Sequence, residues 1–88
     1  AVYCVRAGEV PVDRPDSGLL RFHDPRAGAG AFLDAASASL AAPWRFGARE
    51  RRLVAGDLLV FPAYLVHEVT PFFGSDLRIT VAANCWFG

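Results

Sequence analysis

The chain has 88 residues, of which 53% are hydrophobic, and its nine arginines balance nine acidic residues. This length allows one small domain with a thin core. Zero net charge argues against nucleic-acid or anionic-lipid binding, and no apolar run approaches the roughly 20 residues of a membrane helix. The composition therefore predicts a soluble, cytoplasmic domain. Either its core is unusually apolar, or part of its apolar surface is covered by something else.

Short alternating segments separated by turn residues run along most of the chain. AVYCVRA alternates as a strand, and the proline- and glycine-containing stretch 8–18 is predicted to be a loop. Around 31–41 a short helix competes with a long loop. Strands spaced by roughly eight to twelve residues, with Gly, Pro and Asp between them, are typical of antiparallel sandwiches and barrels. We predict an all-β fold of six or seven strands, at residues 1–7, 18–25, 43–46, 50–54, 58–62, 65–71 and 77–87.

Both ends of the chain carry a cysteine, Cys4 and Cys85. A disulfide would fit this placement, but free thiols are favoured because nothing else indicates a secreted, disulfide-stabilised scaffold. The sequence begins directly on a strand pattern and contains no methionine. We therefore expect it to be a piece of a longer chain.

Alternation gives each strand two distinct faces. In the first strand, Val2 and Cys4 share a face, with Arg6 as a candidate third member. In the last strand, Ile79 and Val81 belong to an aliphatic row that we expect to be the packed side. The opposite row has small and polar side chains typical of a cavity wall: Arg78, Thr80, Ala82 and Asn84.

LVHEVTP places one of the two histidines, His67, inside an apolar strand, with Glu68 on the opposite face. If His67 faces the same cavity as Arg78, the two side chains form a site for a metal and an anion. Two simpler interpretations stay open on the pattern alone. His67 would then be a hydrogen-bonded core histidine, and Arg78 a solvated residue at a strand end.

The block AGDLLVFPAYLVHEVTPFFGSDLRITVAANCWF resembles the C-terminal half of the catalytic core of Fe(II)- and 2-oxoglutarate-dependent oxygenases. The likeness is to their bacterial and phage group, which is related more distantly to prolyl hydroxylases. AVYCV and LLRFHDPR resemble two strands that precede this half. The resemblance covers nearly the whole chain and implies a double-stranded β-helix (a cupin-like jelly roll). Residues 1–88 would be its C-terminal portion, incomplete at the N-terminus. The motifs that carry the likeness are Gly56-Asp57, Phe61-Pro62, His67-Glu68-Val69-Thr70-Pro71 and Arg78-Ile79-Thr80.

The resemblance also implies roles for individual residues. His67 would be one iron ligand of a site that uses two histidines and a carboxylate. Arg78 and Thr80 would bind the far carboxylate of 2-oxoglutarate, and Tyr3 would line the same pocket. The implied activity is that of an iron(II)- and 2-oxoglutarate-dependent dioxygenase, a hydroxylase, acting on a small-molecule or peptidyl substrate that the sequence does not identify.

The family's first histidine and its carboxylate would lie before Ala1. His23-Asp24 is a poor replacement, because adjacent strand residues point to opposite faces. We expect His23 to be an exposed or hydrogen-bonded residue at a strand end. We expect Glu68 to pair with an arginine.

Two other functions stay open. The same fold could bind a small anion through Arg78 without iron, as a cupin-like module without redox activity. Alternatively, the domain could be structural, with its apolar excess covered by another subunit, for example in a homo-oligomer.

Overall fold

The computed structural model describes residues 1–25, 41 and 47–88. These residues form six strands and no helix, which confirms the all-β prediction for this part of the chain. The helix considered at 31–41 and the strand predicted at 43–46 fall outside the described residues, except for Ala41. The strands are β1 (Val2–Arg6), β2 (Leu20–Phe22), β3 (Arg49–Arg51), β4 (Leu58–Leu59), β5 (His67–Val69) and β6 (Ile79–Ala82).

The strands form two antiparallel three-stranded sheets. The first sheet has the order β4-β1-β6, and the second has the order β3-β2-β5. In each sheet the central strand is the one that comes earliest in the chain, so its two partners arrive from distant parts of the sequence. Two antiparallel sheets are consistent with the predicted sandwich or jelly roll.

The strands are shorter than the sequence pattern predicts, most clearly in the first sheet. The predicted strand 58–62 ends at Leu59, and the predicted strand 77–87 ends at Ala82. Both end residues pair with Val2, where β1 begins. Beyond Val2, Ala1 and Ala83 exchange two backbone hydrogen bonds of 2.8 and 2.9 Å, and the alternation of the last strand then continues without a strand partner among the described residues.

A bulge interrupts the pairing of β1 with β6. Cys4 lies opposite Thr80, but Arg6 lies opposite Ile79, one position away from a regular register. The shift separates Arg6 from the face of Cys4, so the face predicted for Arg6 is wrong. Arg6 instead forms an ion pair of 3.3 Å with Asp76.

The core lies between the sheets and is thin. Packed against its buried residues are Ala7, Phe22, Leu59 and Phe61. We call the face of the first sheet that carries Cys4 the inner face and its reverse the outer face. The buried core residues are Val2, Cys4, Leu20 and Leu53.

The prediction that the aliphatic row of the last strand is packed is wrong. Ile79 is 41% exposed and Val81 is 54% exposed. Val81 pairs with Tyr3 on the outer face, whereas Thr80 pairs with Cys4 on the inner face. The core lies on the side of Cys4, so the polar row faces inward. Part of the apolar excess noted in the composition is therefore surface.

Two buried hydroxyl groups fix the end of the loop 8–18. The Thr70 hydroxyl donates to the Asp16 carbonyl at 2.6 Å and accepts from the Leu19 N–H at 2.8 Å. The Ser17 hydroxyl accepts from the Phe73 N–H at 2.8 Å. These bonds satisfy buried backbone groups and hold the loop beside the segment that follows β5.

Both cysteines are free, as predicted, although only Cys4 is buried and Cys85 is exposed. The described part of the chain contains no helix of the length and apolarity needed to cross a membrane.

Candidate functional site

A groove of about 690 Å³ opens beside His67. Val2 and Ala82, which pair across β1 and β6, contribute to its lining from the inner face of the first sheet. Phe61 and His67 also line it. Thr80 and Ala82 lie on the same face of β6. The structure therefore brings His67 to the side of the sheet that carries Thr80.

The imidazole of His67 is held in a defined tautomer. Its Nδ1 lies 2.9 Å from the Leu65 carbonyl oxygen. A carbonyl can only accept, so Nδ1 carries the proton in this bond and the neutral ring keeps its lone pair on Nε2. The ring also packs edge-on against Phe61, with centroids 4.8 Å apart, and lies 6.2 Å from Phe22. These contacts restrict the orientation of the imidazole.

This arrangement fits a metal-ligating histidine. Such histidines commonly donate one ring nitrogen to a carbonyl or carboxylate and bind metal through the other. Within residues 1–25, 41 and 47–88, no cluster of three or more His, Cys, Asp or Glu side chains could hold a metal ion. The described residues therefore fit one position of an iron site and do not complete it.

Arg78 is half-buried, and its guanidinium has no hydrogen-bond or ion-pair partner in the described part of the chain. By contrast, the half-buried Arg14 and Arg21 both bind carboxylates. A guanidinium has five N–H donors in a planar fork, which matches a carboxylate. Arg78 is thus a cation with unused donors.

Thr80 is half-buried on the inner face, opposite Cys4, and two residues after Arg78. Ala82, at the groove, lies about 13 Å along the strand from Arg78 at the usual rise per residue. Tyr3 lies on the outer face opposite Val81 and is 43% exposed. The structure therefore does not bring Tyr3 together with Thr80. The binding roles expected of these residues stay predictions.

The other predicted polar residues form a charged cluster on the second sheet. Arg21 lies 3.2 Å from both Glu50 and Glu68, and His23 Nε2 lies 3.3 Å from Glu68. Arg21 pairs with Glu68 and Phe22 with His67, so alternation directs this cluster away from the imidazole. Both expectations are confirmed: Glu68 has an arginine partner, and His23 is a hydrogen-bonded residue beside a strand end.

Several parts of the site were not identified from the sequence. Alternation with the buried Leu20 could have indicated that Phe22 faces the His67 side. No sequence signal identifies the Leu65 carbonyl as the partner of Nδ1, because backbone acceptors are the same at every residue. Trp86 and Phe87 line the groove after β6 has ended.

A protein-family model described as "Putative 2OG-Fe(II) oxygenase" matches residues 3–84. The chain belongs to this family. The match to this oxygenase family includes the Gly-Asp turn, the His67 strand and the Arg78 strand. No curated protein and no solved structure matches the chain. The family is one of oxidoreductases, and its description names iron(II) and 2-oxoglutarate.

Proposed function

We propose that the chain is part of a non-haem iron(II)- and 2-oxoglutarate-dependent dioxygenase. Residues 1–88 would form the C-terminal portion of its double-stranded β-helix domain. Family membership supports the class of enzyme. The single observation that carries the proposal is the contact of His67 Nδ1 with the Leu65 carbonyl, in a residue that lines the groove, because this contact leaves Nε2 as the ring nitrogen that can bind a metal.

The proposed reaction converts R–H, dioxygen and 2-oxoglutarate into R–OH, succinate and carbon dioxide. One oxygen atom enters the alcohol and the other enters succinate, while the keto acid supplies two electrons through its decarboxylation. Iron bound at His67 would supply the binding and activation of dioxygen. His67 contributes a neutral nitrogen in a fixed orientation, and the groove positions the C–H bond.

Arg78 and Thr80 would hold the far carboxylate of 2-oxoglutarate. The half-buried Arg78 guanidinium has no acceptor among the described residues, and a carboxylate would satisfy it with charge-assisted hydrogen bonds. The Thr80 hydroxyl lies on the inner face of the same strand and can add a donor. In this way the co-substrate would extend from the iron along β6 toward Arg78.

Paired substitutions test this assignment through binding as well as turnover. In the full-length protein, His67→Ala should abolish iron(II) binding under anaerobic conditions. Arg78→Ala should weaken the binding of 2-oxoglutarate by about 10- to 100-fold, since charge-assisted hydrogen bonds contribute about 1.5–3 kcal/mol each. It should leave iron binding unchanged. Arg51→Ala, an exposed arginine of β3, is the control and should change neither. Unchanged 2-oxoglutarate decarboxylation in both site variants would refute the proposal.

A cupin-like module that binds a small anion without redox activity is the second candidate. The observation that favours it is Arg78 itself, whose unused donors suit an anion whether or not iron is bound. The two functions differ in their metal dependence. In the oxygenase, iron should tighten 2-oxoglutarate binding, and His67→Ala should remove this effect. An anion affinity that is changed neither by iron nor by His67→Ala would favour the binding module.

A further inference from the structure

We propose that the groove beside His67 binds the primary substrate, and that this substrate is an uncharged, largely apolar small molecule. The inference rests on the proposed function, because it assigns the groove to the molecule that the oxygenase would hydroxylate. It goes further in naming the chemical class of that molecule.

The groove is apolar and uncharged along its described lining. None of the described residues that line it carries an acidic or basic side chain other than the imidazole of His67. The α-amino group of Ala1, also at the groove, donates to the Ala83 carbonyl at 2.8 Å. Aromatic and aliphatic side chains make up most of the lining, among them Val60, Phe61, Trp86 and Phe87.

This lack of charge contrasts with the rest of the chain, in which 20% of residues are charged. The cluster of Arg21, Glu50 and Glu68 lies on the reverse of the second sheet. A charged ligand entering the groove would lose water without gaining a counter-charge from a side chain, which is costly. An uncharged ligand would gain from the burial of apolar surface on both sides.

The dimensions and polar groups of the groove suit a small molecule rather than a peptide. Its volume of about 690 Å³ lies within the range of small-molecule sites. Each peptide residue would bring a backbone donor and acceptor that need partners. Apart from His67, the described lining offers side-chain polar groups only on Asn84, Cys85 and the indole N–H of Trp86. The Asn84 amide can orient one hydroxyl or carbonyl group.

The groove is also separate from the proposed carboxylate site. Neither Arg78 nor Thr80 lines it; the residues of β6 that do so begin at Ala82. The groove thus extends from His67 toward the end of the chain, whereas the carboxylate site lies toward the start of β6. A substrate in the groove would therefore leave Arg78 and Thr80 to 2-oxoglutarate.

A matched set of probes tests the assignment without iron or 2-oxoglutarate. The chain has two tryptophans, Trp44 and Trp86, so Trp44→Phe leaves Trp86 as the fluorescent reporter. We expect 4-methylbenzyl alcohol to change Trp86 emission saturably. The 4-methylbenzoate anion and the 4-methylbenzylammonium cation should bind at least tenfold more weakly, as expected for an uncharged site. Equal binding of the three probes would overturn the proposal.

Two exposed valines provide the variant and its control. Val60 lines the groove and is 78% exposed, whereas Val12 is fully exposed and does not line it. Val60→Asp should weaken the binding of the alcohol at least tenfold and strengthen the binding of the ammonium probe. Val12→Asp should change neither affinity. Equal effects of both variants would overturn the proposal. So would an acetylated, amidated apolar tetrapeptide that binds more tightly than the alcohol.

Failure of the proposed substrate class can be distinguished from failure of the oxygenase proposal. In the full-length protein, probe binding without any iron or 2-oxoglutarate binding would refute the proposed enzyme function and, with it, the assignment of the groove to its substrate. Iron and 2-oxoglutarate binding without probe binding would refute the substrate class alone.

Discussion

At the scale of single residues, Gly18 gives Arg78 the space that it occupies. A Cβ at Gly18 would lie 3.3 Å from both Cδ and Nε of Arg78, and 3.2 Å from Cδ2 of Phe72. Gly18 also has φ of +62°, a left-handed conformation that side chains disfavour. The loop 8–18, which the sequence marks only as a turn-rich connection, therefore helps to position the proposed carboxylate-binding arginine.

Gly18→Ala should weaken 2-oxoglutarate binding by about tenfold, because the new methyl group displaces the guanidinium, and should cost about 1–2 kcal/mol of stability through backbone strain. Isothermal titration with 2-oxoglutarate and urea unfolding measure the two effects. Gly56→Ala is the matched control, since Gly56 has φ of +93° and nothing within 4 Å of its Cβ position. It should lose similar stability and keep its affinity for 2-oxoglutarate. If the two variants bind 2-oxoglutarate with equal affinity, Gly18 does not position Arg78.

At the scale of elements, the first sheet packs only one of its faces against the described core. Cys4 and Leu20 are almost fully buried on the inner side, while Tyr3 and Val81 lie exposed on the outer side. This asymmetry determines which substitutions in the strands should be costly.

Leu20→Ala should destabilise the fold by about 2–4 kcal/mol, because it removes a side chain that is 1% exposed and leaves a cavity. Val81→Ala should cost less than about 1 kcal/mol, since surface substitutions have small effects. Urea unfolding followed by circular dichroism gives both values. A loss of stability well above about 1 kcal/mol for Val81→Ala would show that the aliphatic row is packed after all.

The strands illustrate what the sequence could and could not predict. Alternation placed His67 and Glu68 on opposite faces, and the register with Phe22 and Arg21 confirms it. Alternation defines two faces, but it does not determine which one meets the second sheet. An aliphatic row such as Ile79 and Val81 is therefore easily taken for the core side. The packing partner comes from elsewhere in the chain, and local pattern carries no information about it.

Asp76 links the segment before β6 to the end of β1. The Glu9 N–H, and then Arg6, hold the pKa of Asp76 below its usual value of 3.8. A carboxyl with a lowered pKa stabilises the folded state when ionised, so this contribution is present above the unfolded value and is lost as the pH falls through the folded one.

The difference in stability between the natural chain and Asp76→Asn should therefore shrink as the pH falls from about 5 to about 2. Urea unfolding at a series of pH values measures it. Asp13→Asn, at an exposed loop position, serves as the control and should show a smaller change with pH. A difference for Asp76→Asn that stays constant over this range would contradict the assigned contacts.

At the scale of the whole molecule, a small core supports a large apolar surface. Among the described residues four apolar ones are buried, whereas the outer face and the groove both expose large side chains. The sequence indicated this through its high hydrophobic fraction, and it indicated the oxygenase family through ordered motifs. It could not indicate the groove, whose lining comes from β1, from the segment after β4, from β5, from the end of β6 and from the residues after it. Only tertiary structure brings these segments together.

The two thiols report on this arrangement. Under native conditions iodoacetamide should modify Cys85 and leave Cys4 unmodified, because Cys85 is exposed and Cys4 is completely buried. In urea both should react. Peptide mass spectrometry after a timed reaction distinguishes them, with Cys85→Ala as the control that should take up no label in the native state. Rapid native labelling of Cys4 would contradict the packing of β1.

The bulge in β1 has an electrostatic consequence for the carboxylate site proposed at Arg78. In a regular ladder Arg6 would sit directly across from Arg78, because Cys4 faces Thr80. Two guanidinium groups would then repel each other and form a doubly positive pocket, which suits a phosphate dianion. The extra residue sends Arg6 to Asp76 instead. Arg78 is thus not faced by Arg6 across the ladder, which suits the single negative charge of the carboxylate proposed to bind it.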